Sequence, residues 1–485
     1  MATSAYIHPL MRRSSDIDSM VPYWDKVEDI VEGQHRIKGA SKQYLPMFPD
    51  EAGEEYKFRL SLAKFTNIYR DVLEGLAYKP FEEEITVIGG DSVPTEVHEF
   101  IEDVDGAGNN ISVFSALTFF NGINNAIDWV LIDYPAPDVS IVTVADAKRA
   151  NIRPFWSHIL AKNVLEVRTA VIGAKEVISY FRVFEPSLTL DKNDCVRVFE
   201  REGDTITWTL YEKVEQPKKP EDGFVKIQEG VLSVNLIPVV PFITGRREGK
   251  SYKFMPVMRD AADLQITLYQ NESALEFIKT MAGYPMLAAN GMKPKKAQDG
   301  KTDEKVAVGP MRVLYGVPDG AGGHGEWKFI EPNANSMEFL QKNIDKTKQD
   351  LRELGRQPLT ALSSQLTNTT TAIAAGKAKS AVTSWALGLK DTLENAMRIT
   401  MLWMKIDYEP EVNVFTGFDN VLDNGKDLDA LDKARARGDI SQETFLSELK
   451  RRKVLSPEFN FVDEQKRQLD EIPSDGADSP LVQQP

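Results

Sequence analysis

One cysteine, Cys195, in 485 residues rules out an intrachain disulfide framework and a multi-cysteine metal cluster. Histidine is scarce as well. His8, His35, His98, His158 and His324 are scattered, and none has another four positions away, so zinc-ligand spacing is missing. No run of about 18 apolar residues exists, which excludes a membrane-spanning helix. The opening Met1-Ala2-Thr3-Ser4 has no basic run followed by an apolar stretch, so no signal peptide is expected. A positive surplus is also lacking: 58 Lys and Arg against 73 Asp and Glu give a net charge of −15. That balance disfavours tight, non-specific nucleic-acid binding but leaves room for brief contact with DNA. What is present is ordinary for a folded protein: 42% hydrophobic and 27% charged residues, enough for a sizeable core. The length allows about three units or one discontinuous assembly.

The first third has a helical period. Tyr23 to Gly33 is a short amphipathic segment. Glu54 to Tyr78 places Phe58, Leu62, Phe65, Tyr69, Val72, Leu73 and Leu76 at helical spacing, which predicts one helix ending at Lys79-Pro80. Thr95 to Asp103 predicts another, with Thr95 as its N-cap. Val113 to Ile132 is apolar on most faces and predicts a buried helix. Val139 to Val144 is a strand candidate.

From Asn163 to Ile243 the pattern becomes β-rich. The runs Val177 to Phe184, Asp194 to Arg201, Thr205 to Val214, Val225 to Ser233 and Ile237 to Thr244 are parted by turn clusters such as Glu202-Gly203-Asp204. They predict an antiparallel sheet. Pro256 to Ala282 then predicts a helix of roughly 40 Å. Tyr284 to Asn335 has no helical period and holds two short β-like runs, Met311 to Tyr315 and Glu326 to Ile330. Ser336 to Leu354 is helical, and Gly355 to Asn368 is a polar loop. Thr369 to Met404 predicts a second long helix, roughly 54 Å, with Gly376 and Gly388 favouring a bend. Val412 to Phe415 is a strand candidate, and Asp427 to Asp470 predicts two or three short charged helices. Ile472 to Pro485 has the composition of a disordered tail.

Familiar site motifs fail on spacing. Gly245-Arg246-Arg247-Glu248-Gly249-Lys250-Ser251 has three residues between its glycines where a phosphate-binding loop needs four, and Pro256 delays the helix. A surface turn is expected. Gly320-Ala321-Gly322-Gly323-His324-Gly325 fits G-x-G-x-x-G, but a strand candidate follows it where a dinucleotide site needs a helix. Cys195 has no cue for thiolate activation. Glu82-Glu83-Glu84 has the pattern of a solvated face. Two basic clusters remain: Lys293, Lys295, Lys296, Lys301 and Lys305, and Lys450-Arg451-Arg452-Lys453. Each fits either a solvated surface or a contact with a partner protein or DNA phosphates. No catalytic constellation and no cofactor site emerge. The residues alone predict an acidic α+β structural or binding protein.

The order of segments resembles the portal protein of tailed bacteriophages. Ile237-Pro238-Val239-Val240-Pro241-Phe242 followed by Pro256 to Gly283 resembles a strand leading into an outer stem helix. Ser336 to Gly355 resembles an inner stem helix, Leu359 to Thr371 a tunnel loop, and Ala372 to Met404 the long kinked helix behind it. Gly438-Asp439-Ile440-Ser441-Gln442-Glu443-Thr444-Phe445, with Val454-Leu455 beyond, resembles the helical end of many portals. Tyr44-Leu45-Pro46 and Ala63 to Pro80 are similar to one branch of that family. The resemblance implies a portal-like α+β fold. Residues 1–255 form a wing, 256–282 an outer stem helix, 283–335 a clip and 336–355 an inner stem helix. Residues 356–420 hold the tunnel loop, the kinked helix and a wing strand, 421–471 a crown, and 472–485 a tail.

It further implies a homo-oligomeric ring, a dodecamer at one capsid vertex of the virion, made in the cytoplasm of a bacterial host. Double-stranded DNA would pass through its channel during packaging and ejection. Partners would be a terminase motor, a head–tail adaptor and the major capsid or scaffold protein, with no membrane, no cofactor and no enzymatic activity. DNA-channel candidates are Arg356, Gln357, Thr360, Ser363, Ser364, Gln365, Thr367 and Asn368, together with Lys342 and Lys346 on one face of the inner stem helix. That face could line the channel or meet a neighbouring stem helix as ordinary ion pairs. Partner-docking candidates are Lys293, Lys295, Lys296 and Trp327. The alternatives are a phage-encoded metal-dependent hydrolase using scattered Asp and Glu, or another ring-forming head–tail structural protein such as an adaptor.

Overall fold

The computed structural model describes residues 6–49, 51–135, 152–187, 189, 192–283, 286–290, 313–315, 326–330, 334–354, 368–416 and 424–451, with 454, 455, 459, 461, 464, 466 and 467 beyond them. The strand candidate Val139 to Val144, the Gly320 to Gly325 motif and the tail from Ile472 lie outside the described residues. The chain divides into two compact units, Met1–Thr416 and Gly417–Pro485. The first mixes helices and sheets, and the fold class is α+β as expected.

The chain opens with helix α1 (Ser15–Glu32), which begins a full two turns before Tyr23. Pro22 lies inside it, and the helix runs through the proline. Ile17, Met20, Tyr23, Trp24, Val27 and Ile30 form one buried stripe, and their packing outweighs the lost backbone bond. Helix α2 (Gln34–Gly39) follows across Gly33, whose φ of 92° suits glycine.

The single helix expected from Glu54 to Tyr78 is two, α3 (Gly53–Leu62) and α4 (Ile68–Ala77). Asn67 caps the second by accepting from Arg70 N at 2.9 Å. The other freed amides at the break find partners nearly 200 positions away. Gln265 Oε1 accepts from Ile68 N and Tyr69 N at 3.0 and 2.9 Å. Long-range partners of this kind leave no local signal, and they overrode the apolar period.

Helix α5 (Thr95–Glu102) has Pro94, not Thr95, at its N-cap. Helix α6 (Ile111–Asn125) is shorter than the expected Val113 to Ile132. Ala126 turns the chain with φ 73°, and strand β2 (Ile127–Asp133) begins. The stretch is buried in both conformations, so apolar periodicity could not separate helix from strand.

A short strand β1 (Thr86–Val87) precedes these and pairs with β15 (Val412–Asn413), which is shorter than the expected Val412 to Phe415. Strand β2 is the centre of a three-stranded antiparallel sheet, flanked by β3 (Phe155–Ile159) and β9 (Val239–Ile243). Between β3 and β9 the chain builds a five-stranded antiparallel meander. Its strands are β4 (Val164–Ile172), β5 (Lys175–Glu185), β6 (Cys195–Glu202), β7 (Thr205–Lys213) and β8 (Phe224–Val231). The last four agree with the expected runs. The fifth run, Ile237 to Thr244, leaves the meander and joins β2 instead. Gly245 to Ser251 leads through a small hairpin, β10 (Arg246–Arg247) with β11 (Phe254–Met255), so the segment is a turn between strands.

The core sits where the small sheet meets α6 and the long helix beyond residue 368. Trp129 stacks on Tyr252 and tilts against Phe181 of the meander. Trp156 lies edge-on between Phe100 and Phe114. Phe119 stacks on Phe242 beside Gly122, where an added Cβ would sit 2.3 Å from the Phe242 ring. Only glycine lets α6 come this close to β9.

Candidate functional site

Helix α7 (Arg259–Gly283) runs into β12 (Met286–Asn290). The chain passes through β13 (Val313–Tyr315) and β14 (Glu326–Ile330) and returns as helix α8 (Ala334–Leu354). Pairing Met286↔Ile330 through Asn290↔Glu326 makes β12 and β14 antiparallel, with β13 parallel to β12 on its other side. At 1.5 Å per residue α7 is about 37 Å long. The two helices pack against each other, and the small sheet ties together the chain leaving one and entering the other.

The face that α8 turns inward is Ile344, Thr347 and Leu351, at helical spacing and all buried. Lys348 beside them pairs with the buried Glu272 of α7 at 2.8 Å. The second Glu272 oxygen accepts from Thr66 N at 3.1 Å, at the break between α3 and α4. One carboxylate therefore fixes three segments, and burial strengthens both bonds. Glu272→Ala is expected to lower unfolding free energy by about 1–3 kcal/mol, because a part-buried N–H and an ammonium lose their acceptor. Glu272→Gln, which keeps an acceptor, should lose less. Urea unfolding followed by circular dichroism checks the order; equal losses would show that the carboxylate is not the tie.

The opposite face of α8 is open. Phe339 is 71% exposed, and Lys342, Asp345, Lys346, Gln349 and Glu353 are exposed with it. Lys342 and Lys346 share this face, as their spacing predicts. Lys342 pairs along its own helix with Glu338 at 2.9 Å. The ion pair to α7 is made by Lys348 instead.

Helix α9 (Asn368–Met404) follows and runs without interruption across Gly376 and Gly388. Its buried face, including Trp385, Leu389, Leu393 and Met397, packs on β9, and Thr392 donates to the Pro241 carbonyl at 3.3 Å. Asn368 is the first residue of this helix, not part of the loop before it. Arg356, Gln357, Thr360, Ser363, Ser364, Gln365 and Thr367 lie outside the described residues. So do Lys293, Lys295, Lys296, Lys301 and Lys305. Trp327 is on β14 opposite Ala289.

The second unit holds α10 (Asn424–Arg437) and α11 (Gln442–Arg451), two of the short charged helices expected there. Gly438, with φ 80°, ends the first. Ser441 caps the second by accepting from Thr444 N at 3.1 Å. Lys450 donates to the Phe459 carbonyl at 3.0 Å, so that member of the basic cluster serves the local fold. Lys453 lies outside the described residues.

Sequence reasoning missed two largely buried pairs of ionisable side chains. Arg59 forms two 2.8 Å bonds with Glu51, and Asp128 bonds to His158. The first spans eight positions and the second thirty, and neither matches a motif. Among the described residues no group of three or more His, Cys, Asp or Glu is placed to hold a metal ion. No described helix is long and apolar enough to cross a membrane.

A family described as a domain of unknown function, DUF4055, matches residues 257–404, the stretch from the start of α7 to the end of α9. No curated protein matches the chain. Three solved structures are similar in fold. A chain from the neck of a native gene transfer agent (GTA) particle, computed with C12 symmetry, is 11% identical over 79% of this chain and 89% of that one, with a TM-score of 0.42. One from the neck of an empty GTA particle, computed with C6 symmetry, is 12% identical over 78% and 88%, also at 0.42. One from the virion of the native particle is 11% identical over 87% and 99%, at 0.41.

Proposed function

We propose that this chain is the portal subunit of a tailed phage or phage-like particle. The observation that carries the reading is the antiparallel pair α7 and α8, closed at its end by the β12–β14 sheet and followed through a polar segment by the 37-residue α9. A rod of two helices carrying a small module at its tip is suited to a channel wall that ends in a docking platform. In this reading twelve copies form a ring at one vertex of the virion. Double-stranded DNA passes through the ring during packaging and ejection. The chain itself performs no chemistry, and a terminase motor supplies the work. The module between the stem helices, with Lys293, Lys295, Lys296 and Trp327, docks the motor and then a head–tail adaptor, while the outer body meets the capsid or scaffold protein.

The charge pattern supports a conduit that does not hold its cargo. Affinity for DNA grows with each neutralised phosphate, and a net charge of −15 per copy works against that. The segment from Arg356 to Asn368 is rich in neutral Gln, Thr, Ser and Asn side chains. Each contributes about 1 kcal/mol per hydrogen bond, small enough to form and break as DNA moves. Lys342 and Lys346 add weak rings of positive charge if their open face lines the channel. The test is particle shape and mass. Electron micrographs and mass photometry of purified protein should show rings of about twelve subunits with an axial hole, the closed rotational symmetry of a heterologous interface. Compact monomers or dimers at micromolar concentration would overturn the reading.

A further inference from the structure

Asp128 is completely buried on β2, the central strand of the small sheet. Its Oδ2 is hydrogen-bonded to His158 Nε2 on β3, while its Oδ1 has no hydrogen-bond partner. The His158 side chain is 15% exposed. From α6, Asn121 brings its side-chain amide to 3.4 Å from the same ring nitrogen. The Thr118 hydroxyl of α6 is engaged with the Phe114 carbonyl. Strand β9 offers Phe242 opposite Asp128. On α9 the face toward the sheet carries Thr392, and Lys390 is paired with Glu394 and Glu411. Each member of the pair feels the other as its one charged neighbour.

We propose that Asp128 and His158 form a proton-dependent latch, closed while the pair holds a proton, that fastens β3 and α6 to the central strand and loosens as the solution turns alkaline. The reason is geometric. With one proton the pair is either an ion pair or a neutral acid beside a neutral imidazole, and both fit the single hydrogen bond seen. Without His158 positively charged, an ionised Asp128 is a buried anion with one oxygen unpartnered, a strongly unfavourable state. The closed arrangement therefore binds the proton more tightly than an opened one.

The direction of titration agrees. Burial pushes Asp128 up to about 6, against the opposing pull of His158. The Asp128 charge raises His158 above its ordinary value, against the opposing effect of burial. Both groups hold protons more tightly in the folded chain. The His158 contribution is complete below the ordinary histidine pKa of about 6.5 and is lost as pH rises through the raised value. Asn121 also lines a groove with Trp24, Phe120 and Leu160, whose wall carries the charged groups Glu28, Glu32 and Lys162.

The experiment uses the full chain and two mass-spectrometric readouts between pH 5.5 and 9. Histidine C2–H exchange resolves the five histidines, and backbone amide exchange reports opening. The His158 midpoint should lie above the ordinary histidine value of about 6.5, raised by the neighbouring Asp128 carboxylate. After correction for intrinsic rates, protection of 111–125 and 155–159 should fall about tenfold from pH 6 to pH 9 relative to the β4–β8 meander. In Asp128→Asn the His158 midpoint should drop and the pH-dependent difference should vanish. A wild-type His158 midpoint at or below 6.5, or protection that does not change with pH, would overturn the latch. The wild-type measurement stands even if the variant fails to fold.

Discussion

Trp156→Ala should cost the first unit about 3–5 kcal/mol, the range for deleting a buried tryptophan. The indole is 1% exposed. It lies 5.5 Å from Phe100 and 5.6 Å from Phe114 between ring centroids, both edge-on. Its Nε1 donates to Thr400 Oγ1 of α9 at 2.9 Å. That bond joins a strand of the small sheet to a helix 244 positions later. Truncation opens a cavity among three elements that cannot collapse independently, and it also removes a donor from a fully buried hydroxyl. Thr400 keeps its own bond to the Ala396 carbonyl, so most of the loss is packing. Trp156→Phe separates the two contributions: it keeps a ring but no N–H and should lose about half as much. Urea midpoints of the cooperative transition measure both. A loss under about 1 kcal/mol for the alanine variant would mean that this aromatic cluster does not hold the unit together.

Arg59→Met should be comparably severe, about 3–5 kcal/mol, for an electrostatic reason. Arg59 and Glu51 are 3% and 6% exposed. The guanidinium also donates to the Pro46 carbonyl at 2.7 Å and lies 4.1 Å from the centre of the Phe48 ring. The loop from Pro46 to Glu51 is thus wrapped around one cation. Methionine fills similar volume but strands a buried carboxylate. The double variant Arg59→Met with Glu51→Gln removes the stranded charge and should recover most of the loss. If the double variant is as unstable as the single, packing and not charge is responsible. The pH dependence gives a second check. The Arg59 hydrogen bond holds the Glu51 carboxyl below its ordinary value of 4.5, against the opposing effect of burial. Its stabilisation is therefore present above that value and lost as pH falls through the depressed one. In Arg59→Met the carboxyl should instead be raised by burial, so the gap between variant and wild type should shrink from pH 7 to pH 4.

The elements readable from the sequence are those whose partners are close in the chain. Strands β5 to β8 follow one another as hairpins, and their turn residues announce them; Gly203, with φ 63°, is an example. Helices α7 and α8 carry long periodic stretches, and the structure places them within three residues of the expected ends. Elements decided by distant partners were not readable. The break after Leu62 depends on Gln265 and Glu272, and the change from helix to strand at Ala126 depends on β2 finding β3 and β9. In the candidate site, the shared face of Lys342 and Lys346 followed from their spacing. Choosing Lys348 as the inter-helix pair required knowing where Glu272 lies. The Asp128–His158 pair left no sequence trace, because a strand register and not a motif brings the two together.

The strand order β3-β2-β9 also sets a schedule for synthesis. Translation delivers β2 and β3 together but β9 only after the whole meander has emerged. At about 5–20 residues per second, the hundred-odd residues from Asp133 to Val239 keep one edge of an apolar strand unpaired for roughly 5–20 s. The local hairpins β4 to β8 can close within microseconds of leaving the ribosome. The nascent chain therefore carries a finished sheet beside an unfinished one. Its most exposed moment comes just before Val239 arrives, when a second nascent copy could pair with Ile127–Asp133 in place of the chain's own β9.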